Sequence, residues 1–201
     1  MARILPLPEP AAPAPPPDHL PLDAHTALRP LAGGDALAFL DLIAANRDHL
    51  DRWLRWSSGV RTAGDAERFI QTFERKARAG DGWHLGLWDE TRLAGGVVCW
   101  YIHPEHRNAE VGYWLGAAFT GRALATRATR AAVHYLVTTV GLRRVEMQCA
   151  VDNHRSRAVA ERLGFRLEGV RRQSHWITDR FVDHAVYGLL AEEWPGVTSS
   201  V

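Results

Sequence analysis

Two stretches carry residue types whose spacing could do chemistry. In the first, Glu110 to Thr126, a strand-like run passes into the turn Thr120-Gly121-Arg122-Ala123-Leu124-Ala125-Thr126, which opens a helix. A helix N-terminus presents free N–H donors and roughly half a positive charge, which suits a pyrophosphate. Small residues there let the backbone come close to a ligand. The stretch has neither a Walker loop nor a G-x-G-x-x-G fingerprint, so on these residues alone an ordinary strand–helix turn fits equally well. The second stretch is Asp152-Asn153-His154-Arg155-Ser156. Ser156 falls in the first turn of a helix, on the face of Val159, Ala160 and Leu163, so its hydroxyl points toward the sheet. Helix capping with a satisfied hydroxyl explains it as well as chemistry does. The pair His103-x-x-His106 lacks the H-E-x-x-H spacing, and Cys99 and Cys149 form no C-x-x-C, so no metal site is expected. No G-x-S-x-G nucleophile signature is present.

These stretches need elements to position them. Eight of the eleven prolines lie within the first 21 residues, which predicts a disordered Pro-rich tail over residues 1–22. The folded domain is expected over 23–195, with a flexible C-terminus at 196–201. Its elements read as follows. A strand runs from Thr26 to Leu31 and a helix from Ala36 to Ala45. A Trp-rich helical stretch, Asp48 to Trp56, places Trp53 and Trp56 on one face. A helix from Ala66 to Ala79 is capped by Asp65. Strands run from Trp83 to Trp88, Leu93 to Ile102 and Ala109 to Leu115, and a helix from Arg122 to Thr138. A period-two strand follows, with Val145, Met147, Cys149 and Val151 on one side and Arg144, Glu146 and Gln148 on the other. A short helix capped by Asp152 or Asn153 and two strands, Arg166 to Ile177 and Phe181 to Leu190, complete it. This order predicts an α/β (α+β) domain with a mixed sheet.

A formal net charge of +1 gives no electrostatic case for nucleic acid as partner. No apolar stretch approaches the length needed to span a bilayer, so no membrane partner and a soluble, cytoplasmic protein are expected.

The motifs carry a resemblance. Glu110-Val111-Gly112-Tyr113-Trp114-Leu115-Gly116 is similar to the central strand of GNAT acetyltransferases. Gly141-Leu142-Arg143-Arg144-Val145-Glu146, Asn153-His154-Arg155-Ser156, Ala160-Glu161-Arg162-Leu163-Gly164-Phe165 and Glu168-Gly169, backed by Asp183, Tyr187 and Glu193-Trp194, resemble the RimJ/RimL-type ribosomal-protein N-terminal acetyltransferases. Asn46-Arg47-Asp48-His49-Leu50 with Trp53 and Trp56 matches the same branch. The resemblance spans about Asp23 to Trp194. It implies the GNAT acyl-CoA N-acyltransferase fold with splayed central strands, and acetyl-CoA as co-substrate.

The same resemblance implies roles. Backbone groups of Trp114, Leu115 and Gly116 would pair with the pantetheine arm. The turn N–H groups of Arg122, Ala123, Ala125 and Thr126, with Leu124 between them, would cradle the pyrophosphate. Asn153 would hold the pantetheine, and Ser156 would approach the thioester sulfur as thiolate stabiliser or acid. The family has Gly where Ala123 and Ala125 stand. Alanine can donate the same bonds if its φ stays negative. His175 occupies a position where relatives carry a carboxylate, and an imidazole there is a candidate base. Glu110, entering the central strand, is the rival base. The period of two puts His175 on the face of Gln173 and Ile177. Trp53 and Trp56 are either core or acceptor-binding. The implied reaction is direct acetyl transfer to a primary amine, an N-terminal α-amine of a ribosomal-type protein. The alternatives are a small-molecule amine, or a CoA-binding sensor without turnover. A homodimer is possible.

Overall fold

A computed structural model describes residues 15–195. The expectations for residues 1–14 and 196–201 lie outside it. The chain forms one eight-stranded mixed sheet with helices on both faces. The strands are β1 (Leu20–Pro21), β2 (Thr26–Pro30), β3 (Trp83–Asp89), β4 (Arg92–His103), β5 (Asn108–Leu115), β6 (Arg144–Ala150), β7 (Arg166–Ile177) and β8 (Arg180–Leu190). Their spatial order is β1-β2-β3-β4-β5-β6-β8-β7. Every neighbouring pair is antiparallel except β5 and β6.

The ordered sheet begins before Asp23. Leu20 and Pro21 pair with Leu28 and Ala27, and Tyr135 Oη donates to the Pro15 carbonyl at 2.6 Å. Proline is tolerated in β1 because an edge strand need not donate on its outer side.

Helices α1 (Ala36–Ala45), α2 (Arg47–Asp51) and α3 (Ala63–Ala79) cover one face; α4 (Leu124–Thr138) and α5 (His154–Arg162) cover the other. On α3, Ala66, Ile70 and Phe73 recur at helical spacing and are buried. Its N-cap is Thr62, three residues earlier than expected. Asp65 is the partner in the capping box, its carboxylate accepting from Thr62 N–H at 2.8 Å. Gly80, at φ 72, ends the helix in the left-handed conformation that glycine adopts without penalty.

β5 divides its side chains between the two layers. Ala109, Val111 and Leu115 join the α4–α5 core, whereas Trp114 joins the α1–α3 core. β6 alternates likewise: Val145, Met147 and Cys149 face α4 and α5, leaving Glu146 and Gln148 on the α1–α3 side.

Candidate active site

β5 and β6 are in register over only three pairs, Asn108–Arg144, Ala109–Val145 and Glu110–Glu146. Beyond Glu110 both strands continue without pairing to each other, to Leu115 and Ala150. The sheet therefore opens into a V, and a cleft of about 1780 Å³ runs through it. Backbone groups in such a gap need partners, since unpaired buried ones are costly. β5 supplies them selectively. Gly116 N–H already donates to the Ala94 carbonyl at 2.9 Å, and the Gly116 carbonyl accepts from Phe119 at 3.0 Å. The antiparallel ladder alternates, so Trp114, opposite Gly96, also turns its backbone toward β4. Of the three residues expected to pair with a pantetheine arm, Leu115 alone presents its backbone to the gap; Tyr113 is the second residue that does.

On the α4 side the cleft meets a helix N-terminus. The first backbone bond of α4 runs from Arg127 N–H to the Ala123 carbonyl at 3.0 Å. The N–H groups of Leu124, Ala125 and Thr126 thus have no helical partner, and all three residues line the cleft. Gly121 and Ala123 take φ values of 78 and 56. The condition of a negative φ at Ala123 is not met: the turn requires the left-handed region, and a methyl group sits in it. That conformation costs a non-glycine residue about 1–2 kcal/mol. Ala123→Gly should stabilise the protein by about 0.5–1 kcal/mol, the relief less the glycine entropy, and raise Tm by a few degrees. An unchanged or lower Tm would show the strain to be absent.

Arg122 projects out of this turn to Asp89, 2.6 Å away. The cation beside the N–H groups is instead Arg162, whose Nη1 donates to Thr126 Oγ1 at 3.0 Å. Sequence reasoning missed Arg162 as a site residue. Six residues after Ser156, it lies off the Ser156 face of the helix, so no local spacing signalled it.

Asn153 caps α5, its Oδ1 accepting from Ser156 N–H at 3.2 Å. Ser156 is half-buried and lines the cleft together with Tyr113 and Cys149. Burial raises both the Tyr113 hydroxyl and the Cys149 thiol, Cys149 to about 11, so each stays protonated at neutral pH. Tyr113 is the second residue missed. It stands in the central-strand motif, and its side chain packs on the α4–α5 side of β5, where it lines the cleft with Ser156.

On the α1–α3 side stands Glu110, at the last paired position before the split. Burial and then the Glu146 carboxylate push it up to about 7, against Arg171 and the Gln148 amide, which donates to Oε2 at 3.0 Å. Glu146 is itself held by Arg144 at 2.8 Å and Tyr101 Oη at 3.3 Å. A carboxyl group poised near 7 can exchange a proton at neutral pH.

His175 also lines the cleft, but not by the expected alternation. Register shifts between Arg171 and His175, and Gln173 takes φ 47, so a bulge breaks the period of two. The His175 ring stacks on His184, with centroids 3.6 Å apart and planes 6° apart. Burial, then Arg171, lowers His175, and His184 falls to about 4. A stacked neutral imidazole pair beside an arginine is a weaker proton acceptor at pH 7 than Glu110.

Trp53 and Trp56 do not share a helix face. α2 stops at Asp51, Trp53 lies in the following turn, and Trp56 precedes a short 3₁₀ turn at Ser57–Gly59. Both line the cleft. Trp56 packs on Phe39, Phe69 and Trp114, with centroids 6.0, 4.8 and 5.5 Å away. Thr178, in the β7–β8 turn, donates to the Asp51 carbonyl at 3.0 Å and closes this side. Among the described residues no group of three or more His, Cys, Asp or Glu is placed to hold a metal, and no helix is long and apolar enough to cross a membrane.

A mixed sheet split at a parallel pair, with a helix N-terminus on one side of the gap and a carboxyl group on the other, is the arrangement of an acyl-coenzyme A N-acyltransferase. The comparisons with known proteins agree. The model of the acetyltransferase (GNAT) domain matches residues 25–166. The putative ribosomal N-acetyltransferase YdaF of Bacillus subtilis is 32% identical over 87% of this chain and 96% of its own length. The ribosomal-protein-serine acetyltransferase of Escherichia coli is 30% identical over 75% of this chain and 84% of its own. A solved microcin C7 self-immunity acetyltransferase, MccE, in complex with acetyl-CoA and AMP, superposes with a TM-score of 0.81 at 27% identity, over 87% of this chain and 97% of that one. The chain belongs to the GNAT acetyltransferase family.

Proposed function

We propose that this enzyme transfers an acetyl group from acetyl-CoA to the N-terminal α-amine of a protein, of the kind its ribosomal-protein-modifying relatives act on, by direct attack. The observation that carries the reading is the V between β5 and β6, with hydroxyls on one face of the sheet and a carboxyl group on the other. The two named relatives favour the protein acceptor. The MccE structure, which holds AMP beside acetyl-CoA, keeps a small-molecule acceptor as the alternative.

In this reading the coenzyme lies on the α4–α5 side. Its pyrophosphate meets the N–H groups of Leu124, Ala125 and Thr126, with the Arg162 guanidinium beside them. Its pantetheine arm runs along the open edge of β5, pairing with backbone groups of Tyr113 and Leu115, while the Asn153 amide nitrogen is free to donate. The acceptor enters from the α1–α3 side, among Trp53, Trp56 and Trp114. Glu110 takes a proton from the ammonium form, directly or through a water. An α-amine has a pKa of about 7.7–8, so a base near 7 suffices, whereas a lysine amine near 10.4 would need more. The neutral amine attacks the thioester carbonyl through the gap. The C–N bond forms, the C–S bond breaks, and the sulfur departs toward Ser156 and Tyr113, which hydrogen-bond the thiolate and return a proton to it.

Ser156→Ala should lower kcat by roughly tenfold to a thousandfold with less change in the coenzyme KM. Wild-type kcat in that variant would leave Ser156 a packing residue. The acceptor class is tested by coenzyme A thiol release with peptides starting in Ser or Ala against a panel of small amines. Release with small amines alone would overturn the protein reading; tight coenzyme binding with no release would indicate a sensor. A cytoplasmic location goes with a ribosomal-protein acceptor. A homodimer would pair through edge strand β7 and its neighbour, where Leu167, Val170 and Phe181 are exposed; light scattering at micromolar concentration tests it.

A further inference from the structure

The acceptor side of the cleft has an aromatic wall that rests on a buried polar bond. His84 on β3 is 4% exposed and lies among apolar rings. Phe39, Phe69 and Phe73 surround it, with centroids 5.9, 5.5 and 5.5 Å away. Its Nε2 accepts from Trp114 Nε1 at 3.1 Å, and its Nδ1 has no partner among the described residues. Accepting at Nε2 fixes the tautomer with the proton on Nδ1. Burial lowers the imidazole to about 3, so it remains a neutral acceptor at any pH at which the enzyme works.

A polar pair inside an apolar layer is an expensive way to fill space, because each group loses water and Nδ1 recovers nothing. The sheet also makes room for it. A side chain on Gly96 of β4, between the two strands, would place its Cβ 2.5 Å from His84 Nε2 and 2.9 Å from Trp114 Nε1. What the bond fixes is the rotation of one indole. Trp114 lines the cleft and meets Trp56 edge to face, centroids 5.5 Å apart and planes at 75°. With that edge fixed, Trp56 has one packed position above it, against Phe39 and Phe69.

We infer that His84 is a positioning residue for the acceptor: by holding the Trp114 indole, and through it Trp56, it sets the size of the chamber that receives the acceptor's first side chain. The inference rests on the α1–α3 side being the acceptor side, as proposed above. What it selects for is the shape of the first side chain of an α-amine acceptor, because two immobilised indoles leave no adaptable wall. His84 itself touches neither substrate.

The test compares His84→Leu, His84→Gln and Trp114→Phe. Leucine fills the site without an acceptor, glutamine keeps a neutral one, and phenylalanine deletes the donor. With peptides that differ only in the first residue, His84→Leu and Trp114→Phe should each raise the acceptor KM about tenfold. Both should also narrow the preference for Ser or Ala over Leu or Phe by a similar factor. The coenzyme KM should stay within about twofold, and His84→Gln should restore most of the selectivity. Indole ¹⁵N–¹H spectra supply a readout independent of turnover. In His84→Leu the Trp114 signal, assigned by its loss in Trp114→Phe, should move together with that of Trp56. Unchanged acceptor KM and selectivity in a folded His84→Leu protein would overturn the inference. So would a uniform fall in all kinetic parameters that glutamine does not rescue, or a Trp56 signal that stays in place. If wild-type protein acetylates no peptide, the acceptor reading fails on its own, and the indole spectra still decide whether His84 positions the wall.

Discussion

Glu110→Gln lowers kcat/KM for an α-amine acceptor by about 10²–10⁴-fold, the span expected for loss of a positioned base. The wild-type profile rises through an acidic limb with an apparent pKa near 7, the value to which burial and Glu146 push this carboxyl group. In the glutamine variant that limb disappears and only the acceptor amine's own titration remains. Stability moves the opposite way. Folded Glu110 keeps its proton up to about 7, whereas the unfolded chain releases it near 4.5. The stability gained from the tighter proton is fully present below 4.5 and is lost as pH rises through 7. Above that, the ionised carboxylate costs the fold about 3 kcal/mol at most, at 1.36 kcal/mol per unit. Glu110→Gln should therefore melt higher than wild type at pH 8, and show less difference at pH 5. A profile that keeps its acidic limb in the variant would move the role to His175. Kinetics from pH 5.5 to 9, about the neutral range in which such groups titrate, read both limbs.

Ala125→Asp separates binding from folding in the same fashion. Ala125 is the second residue of α4, and its N–H faces the cleft without a helical partner. A carboxylate in the first turn of a helix is favourable by about 0.3–1 kcal/mol, so the melting temperature without ligand should hold or rise. The same charge repels a pyrophosphate and competes for the N–H groups. Coenzyme affinity should fall by about a hundredfold or more, near 3 kcal/mol, and the thermal shift produced by acetyl-CoA should vanish. A folded Ala125→Asp protein with an unchanged coenzyme shift would place the pyrophosphate elsewhere.

The elements that hold the site were legible wherever one periodicity ran undisturbed. The β6 alternation placed Met147 and Cys149 on one face and Glu146 and Gln148 on the other, as the structure has them, because a half-buried strand next to a helix must alternate. The stretch from Arg122 to Thr138 gave a helix two residues too long at its start, because left-handed Ala123 offers no composition signal. The same blindness to backbone conformation affected His175. Residues Arg171 to His175 read as an unbroken strand, whereas the bulge there turns the imidazole onto His184. Trp53 and Trp56 look helical at i, i+3, but α2 ends at Asp51 because the chain from Arg52 to Val60 closes onto Phe39 and Phe69 through Trp56 instead. Tertiary packing decided these cases, and no window of local sequence contains it.

Site residues divided on the same ground. Ser156 could be placed on the cleft side of its helix because a cap and a helical face define its direction. Glu110 was only a rival base because its elevated pKa comes from burial and then from Glu146, thirty-six positions away. Arg162 and Tyr113 were not singled out because what brings each to the cleft lies on another element: Thr126 at the start of α4 for Arg162, and the α5 wall carrying Ser156 for Tyr113. Gly116 was assigned to the pantetheine because the strand motif includes it. Its N–H is taken by Ala94, which only the ladder reveals.

The sharpest test is the position of the acetyl group on an acceptor that offers two amines. A peptide beginning with serine and carrying one internal lysine, incubated with the enzyme and acetyl-CoA, is fragmented in a mass spectrometer. A base near 7 at the split of β5 and β6 predicts one acetyl group, on the N-terminal amine, and none when that amine is blocked beforehand. Acetylation of the lysine in the blocked peptide would contradict it, as would an unmodified peptide in a preparation that acetylates small amines.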